Sequence, residues 1–137
     1  MPQDPVRTFL DSGVLIYAFN GEAPLKEPAL QMLEDPNRVF LSSPFVKHEV
    51  SPKALFNRRR GEYRFYEKYF RRAVMFADLD SILRLASREC ARSGVGAMDG
   101  LHLAAAHLLK ADEFITTEKP SGSIYRSSLV KIVYLYA

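Results

Sequence analysis

Short apolar segments alternate with longer segments of helical periodicity along this chain, and this alternation restricts the fold more than any other feature. β-Forming residues dominate the short segments, which predict strands at 7–11, 38–42, 74–77, 113–117 and 130–135. Strands that are separated by helices indicate an α/β fold with a parallel sheet, because a parallel pair needs a long crossover connection. A chain of 137 residues suits one such domain, which we expect to span residues 1–137.

Helical periodicity fills the intervals between the predicted strands, at residues 14–20, 25–34, 62–72, 81–92 and 98–110. Another helix should begin at Ser43, a good N-cap followed by a proline at the first helical position, and continue through Glu49. We expect Pro52 to kink or interrupt that helix, since proline removes a backbone donor. Asp80 is expected to cap the helix at 81–92.

Two acidic residues directly follow predicted strands, Asp11 after the first and Glu118 after the fourth. Active sites of parallel sheets lie at the carboxyl ends of the strands, so these two side chains are candidates for one site. Asp99 lies in the first turn of a helix, and Glu49 lies within another. Each acid has a simpler explanation: a helix cap for Asp11 and Asp99, a solvated helix surface for Glu49, and an exposed turn for Glu118.

Carboxylates that converge repel one another unless a cation neutralises them, so the four acids together predict a divalent-metal site. An all-oxygen ligand set favours Mg2+ or Mn2+ over zinc. The chemistry that follows is metal-assisted hydrolysis of a phosphodiester. Hydroxyls of Ser12, Thr116 and Thr117 lie close in sequence and could hold a ligand carboxylate or a metal-bound water. For His102 we favour a packing or supporting role over direct metal binding.

The net charge of +3 understates the basic character of the chain. Without the four candidate ligands, 12 acidic residues oppose 19 basic ones. Residues 53–72 hold eight of the basic residues and only two acids. A basic field beside an acidic pocket suits an enzyme that binds metal and a polyanion, and we predict RNA contacts from Arg58, Arg59, Arg60 and Arg64. The same segment holds several aromatic residues, most of which should be in the core, and its arginines could instead bind a protein partner.

Three segments resemble the PIN-domain nuclease family, and within it the ribonuclease toxins of toxin–antitoxin pairs: residues 9–16, 99–106 and 114–118. The resemblance extends from about Thr8 to the C-terminus. It implies a three-layer α/β/α fold with a central parallel sheet of four to five strands. It also implies that Asp11, Glu49, Asp99 and Glu118 are the catalytic metal ligands and that RNA is the substrate. Ser12 stands where the family usually has Thr, and Glu118 where Asp is usual.

Toxins of this kind are usually homodimers that a small antitoxin neutralises by covering the acidic pocket, so the resemblance implies both partners. The single cysteine, Cys90, and the absence of a membrane-span or signal pattern predict a cytoplasmic protein without a membrane association.

Two other functions compete with the ribonuclease function. A PIN-like module with a weakened site could bind RNA or protein without cleaving. A phosphoacceptor receiver domain is a weaker alternative, because Asp11 lacks an acidic neighbour.

Overall fold

A parallel sheet of five strands forms the centre of the protein in the computed structural model, which describes residues 4–137. Its spatial order is β3-β2-β1-β4-β5, and every neighbouring pair is parallel. In the register, Phe9 of the central strand pairs with Leu41 on one side and Phe114 on the other. The predicted α/β fold and strand number are confirmed. The strands are β1 (Val6–Leu10), β2 (Arg38–Ser42), β3 (Val74–Met75), β4 (Glu113–Thr116) and β5 (Ile132–Tyr134).

Within residues 4–137, six α-helices cover the sheet: α1 (Ser12–Asn20), α2 (Ala23–Glu34), α3 (Pro44–Phe56), α4 (Arg60–Arg72), α5 (Leu79–Ser93) and α6 (Ala97–Leu108). They pack as pairs, α1 with α2, α3 with α4 and α5 with α6. The pairs α1–α2 and α3–α4 connect strands that are added on one side of β1, and α5–α6 connects β3 to β4 on the other side of β1. Right-handed crossovers therefore place the first two pairs on one face of the sheet and the third pair on the other. No helix within residues 4–137 is long and apolar enough to cross a membrane.

The central strands are buried on both faces, which is the burial pattern of a three-layer α/β/α protein. Phe9 and Leu10 point to opposite faces of the sheet, and neither side chain is exposed. Phe114 and Ile115 repeat this on β4, and the rings of Phe9 and Phe114 stack at a centroid distance of 5.4 Å. The three-layer architecture is therefore built on continuous apolar strands.

The α3 helix continues through Pro52 to Phe56, so of the two expected effects, a kink or an interruption, the interruption is wrong. Pro52 lies on the exposed side of the helix, where water can satisfy the His48 carbonyl that loses its helical donor. On the opposite side Val46, Val50 and Ala54 are all buried. This apolar stripe holds both halves of α3 on the core and offsets the cost of the proline.

The α5 helix is capped by Asp78 and not, as expected, by Asp80. The Asp78 carboxylate accepts hydrogen bonds from the Ser81 backbone N–H (3.1 Å) and the Ser81 hydroxyl (2.7 Å). The helix therefore begins two residues earlier than its apolar pattern indicated, and it ends at Gly94, whose φ of +76° is the left-handed conformation that glycine tolerates.

Gly100 lets α6 approach α5 closely, and this contact sets the position of the α6 N-terminus. A Cβ at Gly100 would lie 2.4 Å from Cys90 Sγ. We expect Gly100→Ala to destabilise the fold by about 1 kcal/mol, because the overpacking outweighs the better helix propensity of alanine.

In a Cys90→Ala background the same Gly100→Ala change should be neutral or stabilising, since the obstructing sulfur is gone. Urea unfolding of the two single variants and the double variant measures this coupling. Equal effects of Gly100→Ala in both backgrounds would show that the close approach does not depend on Cys90.

Candidate active site

The carboxyl ends of β1 and β4 form the crevice in which the predicted site residues meet. β1 has β2 on one side and β4 on the other, so the strand order reverses between β1 and β4. Ligand sites of open α/β sheets lie at such a reversal. Asp11 directly follows β1 and Glu118 follows β4 by two residues, while the Asp11 backbone N–H donates to Ile115 O at 2.9 Å.

The Asp11 carboxylate is held by two hydrogen bonds, one from each side of the crevice. Asp11 Oδ1 accepts from the Ser12 backbone N–H at 2.8 Å, which makes Asp11 the N-cap of α1. Asp11 Oδ2 accepts from the Thr116 hydroxyl at 2.9 Å, and the Thr116 oxygen in turn accepts from the Glu118 N–H at 3.1 Å. The helix-cap explanation is thus correct for Asp11, but the second bond also fixes the carboxylate toward β4.

Glu49 reaches the crevice from α3 and is held by a residue of α6. His102 Nε2–H donates to Glu49 Oε1 at 2.5 Å, and the histidine is 1% exposed. The hydrogen bond from His102 lowers the pKa of Glu49, against the opposing effect of burial, and the Ser12 hydroxyl adds a smaller lowering. Glu49 is therefore kept ionised, and His102 supports a carboxylate as its position relative to Asp99 led us to expect.

Asp99 carries the clearest electrostatic sign that these acids are close together. Burial raises the pKa of Asp99 to about 6, and the negative charges of Asp11, Glu118 and Glu49 add to that rise while His102 opposes it. Burial and the charge of Asp11 likewise raise the pKa of Glu118. The fold thus brings all four predicted acids within range of mutual repulsion, which a cation would relieve.

The longer side chain of Glu118 is accommodated by Gly122. A Cβ at Gly122 would lie 2.8 Å from Glu118 Cδ, so glycine leaves room for the carboxylate to fold back over the following loop. The Tyr125 hydroxyl donates to Glu118 O at 2.8 Å and holds that loop. Glu118 Oε2 is buried and has no hydrogen-bond donor among the described residues. An acceptor atom in this state suits a cation.

The donor set of the crevice consists of carboxylate and hydroxyl oxygens, the ligands that Mg2+ and Mn2+ prefer. Within residues 4–137, however, no three Asp, Glu, His or Cys side chains are grouped tightly enough to ligate one ion directly. Thr117, a predicted supporting residue, instead lies against Gly13, where a Cβ would meet its hydroxyl at 2.4 Å. Mg2+ usually keeps several of its own waters, so its contacts to carboxylates can run through water.

The basic segment is more heavily used by the fold than its sequence suggested. Arg59 Nε pairs with Glu62 Oε1 at 3.0 Å, and a second Arg59 nitrogen donates to Asn20 Oδ1. Arg58 and Arg60 line a cavity of about 370 Å3 at the α3–α4 turn, where Arg58 has a φ of +57°. Arg64 is exposed on α4. Arg59 lines this cavity too and its side chain is half exposed, so its pairing with Glu62 leaves it beside Arg58 and Arg60.

Most aromatic residues of the basic segment belong to the core, as expected. Tyr66, Tyr69 and Phe70 are buried, whereas Phe56 is 86% exposed. Sequence reasoning missed Lys53 in α3 and Asn57 at its C-cap, which line a cavity next to Glu49. Their spacing from Glu49 could have revealed them, but the helix was expected to kink or break at Pro52.

A comparison with known families matches residues 8–119 to the model of the PIN domain, which includes Asp11, Glu49, Asp99 and Glu118. The chain belongs to the PIN domain family. The match covers most of the chain and confirms the family resemblance of the three sequence segments. No curated protein matches the chain in sequence.

Solved structures of toxin–antitoxin complexes have PIN-like chains with the same fold as this one. The VapBC2 complex of Rickettsia felis, bound to a DNA fragment from its promoter, gives a TM-score of 0.72 at 14% identity, over 94% of this chain and 98% of that one. A toxin–antitoxin complex of Klebsiella pneumoniae gives 0.70 at 19% identity, with the same coverage. VapBC-1 of nontypeable Haemophilus influenzae gives 0.71 at 17% identity, over 96% and 100% of the chains.

We expect the metal-free protein to lose stability as the pH rises through about 6. The ordinary pKa of Asp99 is 3.8, so above that value the unfolded chain is already ionised, while the folded chain binds the proton up to about 6. Asp99→Asn cannot ionise and should raise the free energy of unfolding at pH 7.5 by about 1 kcal/mol, after allowance for solvent screening.

Urea unfolding in a chelator between pH 5 and 8 measures both effects. Asp80→Asn, an exposed aspartate at the start of α5, is the matched control and should behave as the wild type. A wild-type stability that is constant across this range would contradict the repulsion described here. Glu49 contributes little to this window, since the hydrogen bond from His102 lowers its pKa from its ordinary value.

Proposed function

We propose that this PIN-domain protein is a metal-dependent endoribonuclease and the toxin of a toxin–antitoxin pair. One observation carries the proposal: four carboxylates from four separate elements converge on the crevice between β1 and β4, where their charges oppose one another. The fold maintains this unfavourable arrangement with dedicated hydrogen bonds, which is expected of a site that binds a cation. PIN domains are generally nucleases, which agrees with this chemistry.

Asp11, Glu49, Asp99 and Glu118 are the residues that we propose to hold one or two Mg2+ or Mn2+ ions, partly through water. When bound, the metal would supply an activated water and charge stabilisation at the phosphorus. The protein's own contribution is orientation. Asp11 is held by Ser12 and Thr116, and these hydroxyl-bearing residues are the proposed outer support of the site.

Two carboxylates of the site are suited to different tasks. His102 keeps Glu49 ionised, so Glu49 contributes a permanent negative charge. Burial and its neighbours bring the pKa of Asp99 to about 6, which is close to neutral pH. In the metal-free site Asp99 therefore shares a proton that a bound ion would displace, whereas Glu49 is ionised before the ion arrives.

Attraction for the RNA backbone comes in this proposal from the arginines of the basic segment, Arg58, Arg59, Arg60 and Arg64. Salt-dependent phosphate contacts of this kind add affinity and do not select a sequence. A PIN-like module that binds RNA or protein without cleaving is the competing function. The room that Gly122 leaves for Glu118 argues against a site degraded by the Asp-to-Glu change.

A small antitoxin and a second copy of the chain are the proposed protein partners. The similar solved structures include toxin–antitoxin complexes, and these support the proposal by fold alone. The exposed apolar residues Leu55 and Phe56 at the end of α3 are also more typical of a binding surface than of a free one. We propose that the protein acts in the cytoplasm.

Asp11→Asn should abolish magnesium-dependent RNA cleavage and leave the fold intact, because the amide keeps the shape of the side chain but removes the charge that attracts the metal. The rate should fall by at least about a hundredfold, as for the loss of a group that acts in the transition state. Cleavage of labelled RNA at saturating magnesium measures this, with Asp80→Asn as the matched aspartate control. A wild-type rate for Asp11→Asn would overturn the metal-site assignment.

Glu118→Ala should reduce cleavage less than Asp11→Ala or Asp99→Ala. The Glu118 carboxylate is carried on a longer side chain than that of Asp, and Gly122 leaves room for this side chain to move. We therefore expect the carboxylate to contact the ion through water. The three rates, compared at equal magnesium, test this order. Equal losses in all three variants would make Glu118 a full member of the ligand set.

A further inference from the structure

A cavity of about 190 Å3 opens beside Glu49, between α1, α3 and α4, and none of the proposed metal chemistry uses it. Glu49 and Lys53, one turn apart on α3, and Asn57, the C-cap residue of that helix, line it. The acidic crevice and the cavity therefore share Glu49 as a common wall. A molecule bound at the crevice that extends along α3 enters this cavity next.

One wall of the cavity is a rigid polar network. The Glu62 carboxylate is 8% exposed and accepts from Asn20 Nδ2 at 2.9 Å, from the Tyr66 hydroxyl at 2.5 Å and from Arg59 Nε at 3.0 Å. Arg59 also donates to Asn20 Oδ1, which closes the network. These bonds fix the wall before any ligand arrives, so binding here would lose little side-chain entropy.

Two polar groups and one apolar side chain at the cavity are free to contact a ligand. Lys53 makes no ion pair, and the Asn57 amide no side-chain hydrogen bond, with any of residues 4–137. Ile16 of α1 is 39% exposed beside them. Lys53 offers a cation to the phosphate of a nucleotide, and the Asn57 amide offers a donor and an acceptor to the edge of its base. Ile16 offers an apolar surface to the face of the base.

We propose that this cavity binds the RNA nucleotide next to the phosphate that is cleaved. Lys53 pairs with the flanking phosphate, one helical turn of about 5.4 Å along α3 from Glu49. The base lies against Ile16, and Asn57 reads its edge. The volume is below the roughly 300–1,000 Å3 of pockets for drug-sized ligands and suits a single base. This inference rests on the proposed ribonuclease function and adds a residue that selects the sequence.

Binding of four single-stranded RNA oligonucleotides tests the proposal, each with a different base beside one fixed central linkage. The proteins carry Asp11→Asn, so that the RNA stays intact, and are compared alone and with Asn57→Leu, Lys53→Met or Asn37→Leu added. Asn37 is the matched control. It is an exposed asparagine in the turn before β2, at the amino ends of the strands and therefore away from the crevice.

Asn57→Leu should reduce the base preference about tenfold, as expected for the loss of one good contact to a base edge. Lys53→Met should weaken the binding of all four oligonucleotides by the same factor. It should also reduce the slope of log affinity against log salt by about 0.7. Asn37→Leu should change neither. Asn57→Leu with the same preference and affinity as Asn37→Leu would overturn the proposal, and so would the absence of any base preference in the parent protein.

Cleavage of the same RNAs by the protein with Asp11 intact separates this inference from the proposed function. If the RNA is not cleaved in magnesium but the binding preference depends on Asn57, the pocket is supported and the nuclease activity is not. If the RNA is cleaved and Asn57→Leu alters neither binding nor the choice of cleavage site, the nuclease is supported and the pocket is wrong.

Discussion

Repulsion among carboxylates at one edge of a parallel sheet is the interaction on which the rest of this structure depends. β1 and β4 lie side by side, so Asp11 and Glu118 emerge at the same crevice, and α3 and α6 bring Glu49 and Asp99 to it. Like charges in a partly buried site are unfavourable. Burial is the largest cause of the raised pKa of Asp99, about 6, and the charges of Asp11, Glu118 and Glu49 add to it. The hydrophobic core offsets this cost, since β1 and β4 contribute the fully buried Phe9, Leu10 and Phe114.

Hydrogen bonds that support the carboxylates also connect the layers of the fold. Thr116 bonds to Asp11 across the sheet, and His102 of α6 bonds to Glu49 of α3. Gly13, Gly100 and Gly122 leave space at points where a Cβ would meet Thr117, Cys90 or Glu118. These glycines therefore determine how closely the helices, strands and loops of the site pack against one another. A larger residue at any of the three positions would displace a carboxylate without changing its chemical nature.

Much of the fold and part of the site could be predicted from the sequence. The alternating pattern predicted the parallel sheet, and strand ends predicted the neighbourhood of Asp11 and Glu118. Nothing local distinguishes Glu49 from a solvated helix residue, because its role depends on His102, a contact between residues 53 positions apart. Only the family resemblance selected it.

The local signals misled for different physical reasons. A proline normally disrupts a helix, yet buried Val50 and Ala54 on the other side of α3 hold the helix together past Pro52. The expected disruption hid the position of Lys53 and Asn57 relative to Glu49. At α5 the reason is local, because Asp78 and not Asp80 accepts from the Ser81 backbone N–H. The pairing of Arg59 with the buried Glu62 was not visible in the basic run, and the Arg59 side chain stays half exposed.

Calorimetric titration of the protein with MgCl2 at pH 6, in two buffers of different ionisation enthalpy, tests the central claim most directly. The account predicts that a divalent ion binds and that protons are released, because the ion displaces the proton that Asp99 shares at this pH. Binding should remain at pH 8, where the proton release should disappear. An absence of binding at millimolar magnesium, or binding at pH 6 without proton release, would contradict a cation site built from these four carboxylates.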